Sequence, residues 1–371
     1  MSGKAVFSNL GLMSIELKHT PLYEWHKSQG AKTSDFGGWD MPIEYQGVVA
    51  EHEIVRTAVG IFDVSHMGKI EIQGENAAAW LNAILTNDIE TLPDGKAQYS
   101  MLLNSLGGVI DDLIVYKFSK DLLWMVPNAS NASEVFRVLE VFQTPGITLN
   151  NHHNDFGIIA VQGPKAEEAI ASLGLPEVSQ YMSAVQVKLK AKDVVLCRTG
   201  YTGEIGFEII APNEILLEVW QHLIAFGASP IGLAARDTLR LEMGYALHGH
   251  EITQDINPIE AGLSWAIAFD KPKFQGSEKL LAVKEAGAIR KRVALSALER
   301  GIPRADMNVL QGEVIVGVTT SGTFSPSLKN GIALALVDTK IKIGDQLELD
   351  VRGRKLKVEV VKLPFVETKT N

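Results

Sequence analysis

The stretch KIEIQGENAAAWLNAIL, Lys69 to Leu85, returns in altered form as IIAVQGPKAEEAIASL, Ile158 to Leu173. Each reads as a short apolar strand, a Gln-Gly turn and a helix. In the first helix Ala77, Trp80, Leu81, Ile84 and Leu85 share one face, the spacing of a helix packed on a core. The second opens with Pro164, whose missing N–H costs nothing in the first helical turn. The echo continues downstream. LLWMVPN (Leu122–Asn128) and FEIIAPN (Phe207–Asn213) are apolar runs ending in Pro-Asn, each leading into an amphipathic helix. Those helices place Val135, Val138, Leu139 and Phe142 on one face, and Leu216, Trp220, Leu223 and Ile224 on the other's. Two matches in the same order predict a pair of related α/β units. Hairpin signals lie between their helices, at Gly107-Gly108 and in the loop Gly200–Gly206. They predict antiparallel α+β layers rather than a helix-connected parallel sheet.

Beyond residue 280 the pattern changes. From Lys355 to Val360 the chain alternates, with Leu356, Val358 and Val360 on one side and charges on the other, as in a half-buried strand. Gly317, Gly322, Gly331, Gly344 and Gly353 are spaced to punctuate the short strands of a small barrel or sandwich. The charged run KEAGAIRKR (Lys284–Arg292) marks the boundary.

Composition narrows the function. A chain of 371 residues suits two or three domains, and 46% apolar with 21% charged residues excludes wholesale disorder. The formal net charge is −9, with pI near 5.6, which argues against a broad nucleic-acid surface. A single cysteine, Cys197, forms no intrachain disulfide and no cysteine-rich zinc site. No apolar run is long enough to span a membrane, and residues 1–20 carry no signal-like segment, so the expected location is the cytoplasm. Dinucleotide, P-loop, HExxH and GxSxG signatures are absent. His248, His250 and Glu251 read HGHE, but without further ligands at useful spacing the expectation is no metal.

Five stretches rich in glycine, acids and aromatics remain: DFGGWDMPIEY (Asp35–Tyr45), FDVSHMGK (Phe62–Lys69), GGVIDDLIVYK (Gly107–Lys117), GYTGEIGFEI (Gly200–Ile209) and GLAARDTLRLE (Gly232–Glu242). Asp111-Asp112 sits inside an apolar strand, so one carboxylate must face each side. A buried carboxylate is costly unless paired or functional. The sequence does not say which of the two turns inward.

FDVSHMG, the GGVIDDLIVY strand, GYTGE, GLAARDTLRLE and SGTFSP (Ser321–Pro326), in this order, resemble the aminomethyltransferase (T-protein) family of the glycine cleavage system. The resemblance runs from TPLYEWH (Thr20–His26) to PFV (Pro364–Val366). It implies a three-domain cloverleaf around a central folate channel. Its first domain would be discontinuous, residues 1–60 with 150–280, interrupted by a second at 61–149 and followed by a β-rich barrel domain at 281–371. It implies transfer of the methylene carbon of an aminomethyl group, carried on the lipoyl sulfur of the partner H-protein, to tetrahydrofolate as co-substrate. The products are 5,10-methylenetetrahydrofolate and ammonia. Carried over by motif, Asp111 is the catalytic carboxylate beside the folate nitrogens, Glu204 and Arg236 bind folate, and Tyr99 lines its channel.

Three departures stand out. Leu247-His248-Gly249 replaces the family's frequent LYG, the tail ETKTN lacks a tyrosine found in some members, and the segment before Thr20 has no assigned role. Two other readings share this fold. One is a folate-dependent demethylase. The other is a non-enzymatic iron–sulfur assembly factor, whose KGCYxGQE-type signature is missing. The basic run Lys284, Arg290, Lys291 and Arg292 is the expected docking patch for an acidic partner.

Overall fold

The computed structural model describes residues 16–370, so most of the segment before Thr20 lies outside the described residues. The echo in the sequence is an echo in space. The first unit is a five-stranded antiparallel sheet in the order Lys96–Leu103, Val109–Ser119, Leu122–Pro127, Ile70–Gln73, Thr148–Asn151. The second runs Ala184–Leu189, Lys192–Cys197, Gly206–Pro212, Phe156–Gln162, Gly60–Asp63, Ser229–Pro230. In both, the strand before Gln-Gly lies beside the strand ending in proline. The two Gln-Gly turns are alike for a physical reason. Gly74 and Gly163 have φ of 143° and 129°, and a Cβ would meet the carbonyl oxygens of Gly146 at 2.0 Å and Ala58 at 2.5 Å. The outer neighbour differs. Thr148–Asn151 closes the first sheet locally, whereas Gly60–Asp63 reaches the second from ahead of the first unit.

Helices Ala77–Asn82 and Ala132–Phe142 cover the first sheet, and Ala166–Ser172 and Asn213–Phe226 the second. The first is shorter than its apolar spacing predicts. Ile84 and Leu85 follow it in a turn yet remain buried, so the face is apolar without being wholly helical. Pro164 precedes its helix by two residues, and Phe142 is 41% exposed at a helix end.

Residues 290–361 form a closed six-stranded barrel, Arg290–Ala297, Asn330–Asp338, Val314–Ser325, Asn308–Gln311, Gln346–Val351, Arg354–Val361. Leu356, Val358 and Val360 point into its core against Leu295, Ala333 and Ala335, as their alternation predicts. Gly317, Gly322 and Gly331 are not turn residues. They lie within strands pressed against neighbouring chain, while Gly344 and Gly353 make turns.

Helix Leu233–Met243 joins the bodies. Ala235 and Leu239 pack on the second unit, and Leu241 packs on barrel residues Ile332 and Leu334. Met101, Leu103 and Val109 of the first unit pack on Ala246, Ile252 and Leu263 of the segment that follows this helix. The basic run is not the free patch expected from sequence. Arg290 pairs with Glu260 at 2.9 Å, Arg292 donates to the Gly244 carbonyl at 2.9 Å, and the Lys284 ammonium sits 3.9 Å from the centre of the Phe269 ring. Most of its charge serves the joint between barrel and units.

Candidate functional site

Strand Val109–Ser119 presents its two aspartates to opposite faces. Asp111, which the resemblance makes the catalytic carboxylate, is completely buried. Its Oδ2 accepts the Asn128 backbone N–H at 2.9 Å, and its Oδ1 accepts the side-chain amides of Asn128 at 2.9 Å and Asn131 at 2.7 Å. It therefore pins the turn that opens helix Ala132–Phe142. Burial and the neighbouring Asp112 push this carboxyl well above the usual carboxylate range, against the pull of its asparagine donors.

Asp112 is half-buried on the other face. Its Oδ2 accepts the Tyr99 hydroxyl at 3.0 Å and its Oδ1 accepts the Asn128 amide at 2.9 Å. Burial raises its carboxyl, while the Tyr99 hydrogen bond and nearby His248 hold it back. The Tyr99 ring lies 5.3 Å from that of Trp265, which is 66% exposed, so the two form an aromatic wall beside the carboxylate.

The loop Gly200–Gly206 supplies the next wall. Tyr201 stacks with Tyr245 at 5.6 Å and carries the Arg236 guanidinium 4.9 Å from its ring centre. Burial raises the Tyr201 phenol; among nearby charges Arg240 and Arg236 lower it and Asp112 raises it, which ties this loop to the aspartate. Glu204 is 3% exposed rather than an open turn residue. Its Oε1 pairs with Arg56 at 3.1 Å and with Lys369 at 3.6 Å. Its Oε2 has no hydrogen-bond partner among the described residues, and neither has Nη1 of Arg236. Arg236 forms no surface ion pair, because Asp237 pairs with Arg240 and Glu242 with Arg56. A buried carboxylate oxygen and a buried guanidinium nitrogen left unpaired are each costly.

The HGHE residues are engaged separately. The His248 ring donates to the Val109 carbonyl at 3.0 Å, the His250 ring donates to the Thr320 carbonyl at 2.9 Å, and Glu251 takes Arg240 at 2.9 Å. His248 lies close enough to Asp112 to hold its carboxyl down. The tail without a tyrosine reaches the loop through the Lys369 N–H, which donates to the Gly203 carbonyl at 2.7 Å. The motif resemblance gave no role to Tyr201, Trp265, Asn128 or Arg56. Tyr201 lay inside a quoted motif and Asn128 inside the repeated Pro-Asn. Trp265 carried no local signal.

Two α+β units and a closed barrel packed together, with aromatic walls, a carboxylate and unpaired charged atoms among them, are the build of an enzyme. Residues 22–271 match the GCVT N-terminal domain family and residues 290–367 the glycine cleavage T-protein C-terminal barrel domain. An aminomethyltransferase of Mycobacterium avium is 47% identical over 361 residues, spanning 96% of this chain and 98% of the relative. One from Parafrankia is 47% identical over 358 residues, spanning 95% and 98%. The crystal structure of glycine cleavage system aminomethyltransferase T from Bartonella henselae superposes with a TM-score of 0.91 at 37% identity, covering 95% of this chain and 99% of that one. The chain belongs to the glycine cleavage T-protein family and is an enzyme, an aminomethyltransferase. The demethylase and assembly-factor readings are not favoured by these matches. Among the described residues no helix is long and apolar enough to cross a membrane.

Proposed function

We propose that the chain passes the methylene carbon of an aminomethyl group, carried on the lipoyl sulfur of H-protein, to tetrahydrofolate. Two carbon–nitrogen bonds form to the folate nitrogens. The carbon's bonds to sulfur and to the amine break with their electron pairs. The two protons lost by the folate nitrogens end on the lipoyl thiol and on ammonia. Asp112 is the carboxylate that orients the folate nitrogens and receives a proton from them. The observation that carries this reading is its half-open position between Tyr99 and His248. Asp111 accepts three hydrogen bonds from the asparagine turn and is wholly buried, which leaves it less open to a substrate than Asp112.

Tetrahydrofolate fits the remaining groups. A pterin offers an amino group and a ring N–H side by side, which the unpaired Oε2 of Glu204 can accept, and acceptors for the unpaired Nη1 of Arg236. Tyr99, Trp265 and Tyr201 offer aromatic faces to its rings. We read the chain as a discontinuous domain, 1–60 and 150–280, with 61–149 inserted and 281–371 appended. The separate sheets and barrel support this division.

The test is direct. The protein is incubated with tetrahydrofolate and aminomethylated H-protein, and ammonia and 5,10-methylenetetrahydrofolate are measured. Asp112→Asn is expected to lower turnover by about 10²–10⁴-fold, the range for loss of a general base. Full activity in that variant would remove Asp112 from the reaction.

A further inference from the structure

A pocket of about 200 Å³ is lined by Phe36, His66, Met67, Asn128, Leu247 and His248 among others. Asn128 bonds Asp112 directly, so the pocket adjoins the proposed reacting centre. It is too small for a whole folate. Its wall is apolar at Phe36, Met67 and Leu247 and polar at Asn128, His66 and His248.

His66 belongs to the FDVSHMG motif, which the folate-binding groups leave unexplained. It is 3% exposed, and its Nδ1 has no hydrogen-bond partner among the described residues. Its ring stands edge-on to Phe36 at 5.6 Å. The loop holding it is pinned on both sides. The Ser65 N–H donates to Asp63 at 2.9 Å, the Gly68 N–H donates to the Pro127 carbonyl at 2.8 Å, and the Lys69 ammonium donates to the Ser65 carbonyl at 2.8 Å. A buried imidazole in a rigid loop with an unused nitrogen, lining a pocket, is preorganised for a ligand.

We propose that this pocket receives the aminomethylthio end of the lipoyl arm, and that His66 hydrogen-bonds the substrate's amine nitrogen. The inference rests on the reaction proposed above. The apolar wall suits the thioether and methylene, and Asn128 brings the carbon alongside Asp112. Burial pushes the His66 imidazole down to about 3, with Asp63 opposing and Arg236, Lys69 and His153 adding to the fall. The ring is neutral at pH 7 and offers a lone pair to an ammonium without repelling it.

The reverse reaction isolates this contact, because ammonium is then a free substrate beside 5,10-methylenetetrahydrofolate and dihydrolipoyl H-protein. His66→Phe keeps the ring shape without the nitrogens. It is expected to raise KM for ammonium about tenfold, as loss of one hydrogen bond to a charged group implies. KM for the folate should stay unchanged. His66→Asn, which returns a polar atom near the Nδ1 position, should recover part of the loss. If His66→Phe does not fold, histidine-labelled wild-type protein carries the test. The ¹⁵N signal of His66 should move when aminomethylated H-protein is added, and an unmoved signal overturns the proposal. An unchanged ammonium KM in folded His66→Phe overturns it equally. A wild-type protein that forms no methylenetetrahydrofolate would instead overturn the underlying reaction.

Discussion

Adjacent aspartates on one strand, chemically identical, meet different surroundings because alternation points them to different faces. Asp111→Asn would put amide hydrogens against the donors of Asn128 and Asn131. It is expected to cost about 1–3 kcal/mol of stability, read as a lower urea midpoint, while the folded fraction keeps most of its turnover. Asp112→Asn should show the reverse, a near-normal urea midpoint with lost turnover. The two variants therefore separate fold from chemistry. The pH profile belongs to the same residue. Burial raises the Asp112 carboxyl, so the ionised, active form accumulates only above the usual aspartate range. The rate should fall as pH drops through that raised value, and a rate flat down to ordinary aspartate pH would contradict the assignment.

Helix Leu233–Met243 shows how an element sets a site. It begins where Gly232 presses on the strand Trp39–Glu44, and its residues Arg236 and Arg240, four apart, share a side of the helix yet part in function. Arg236 lies over Tyr201, while Arg240 turns to Glu251 and to Ser321 of the barrel at 2.9 Å and 2.8 Å. A Cβ at Gly232 would lie 2.1 Å from the Ile43 carbonyl oxygen and 2.6 Å from the Glu44 nitrogen, both backbone. Gly232→Ala must therefore move the helix start or the strand, at about 1–3 kcal/mol for such overpacking. Arg236 moves with the helix, so tetrahydrofolate affinity should weaken in step with the melting temperature. Calorimetry on the variant checks both, and a stability loss without any change in affinity would detach Arg236 from folate.

At the scale of the molecule, one buried carboxylate ties the bodies together. Glu242 accepts from Arg56 at 2.7 Å, and from the Ser325 and Ser327 hydroxyls of the barrel at 2.5 Å and 2.9 Å; His52 lies at 3.2 Å. Arg56 also holds Glu204, so the joint and the site share a guanidinium. Burial pushes the Glu242 carboxyl up, but His52, Ser325 and Arg56 outweigh it and bring it down to about 2. An unfolded glutamate titrates near 4.5, so between these values the unfolded chain binds the extra proton. The stability this group supplies is complete above pH 4.5 and is lost as pH falls toward 2. Glu242→Gln leaves Arg56 with Glu204 and the Thr202 carbonyl as acceptors but removes the buried charge it shares with Ser325 and Ser327, and should destabilise the protein by about 1–3 kcal/mol at neutral pH. It should also flatten the acid side of a urea-midpoint series. A variant that keeps the wild-type acid slope would place that slope on other carboxylates.

The sequence by itself determined the paired units, the antiparallel layers and a β-rich terminal domain of short strands. Apolar spacing along Val135–Leu139, the repeated Gln-Gly and Pro-Asn, and the alternation of Leu356, Val358 and Val360 are local patterns, and local patterns select local structure. Arg236, Glu204 and Tyr99 were legible as motif residues, though nothing local showed that two of them keep an unpaired atom. The tertiary structure alone decided the rest. How each aspartate is held depends on where Asn128 and Asn131 fall, many residues later, and on the sheet face that their helix covers. Whether KEAGAIRKR is a free patch depends on Glu260 and the Gly244 carbonyl, which lie outside the run. Such choices rest on contacts between distant segments, whose energies exist only once the bodies have packed together.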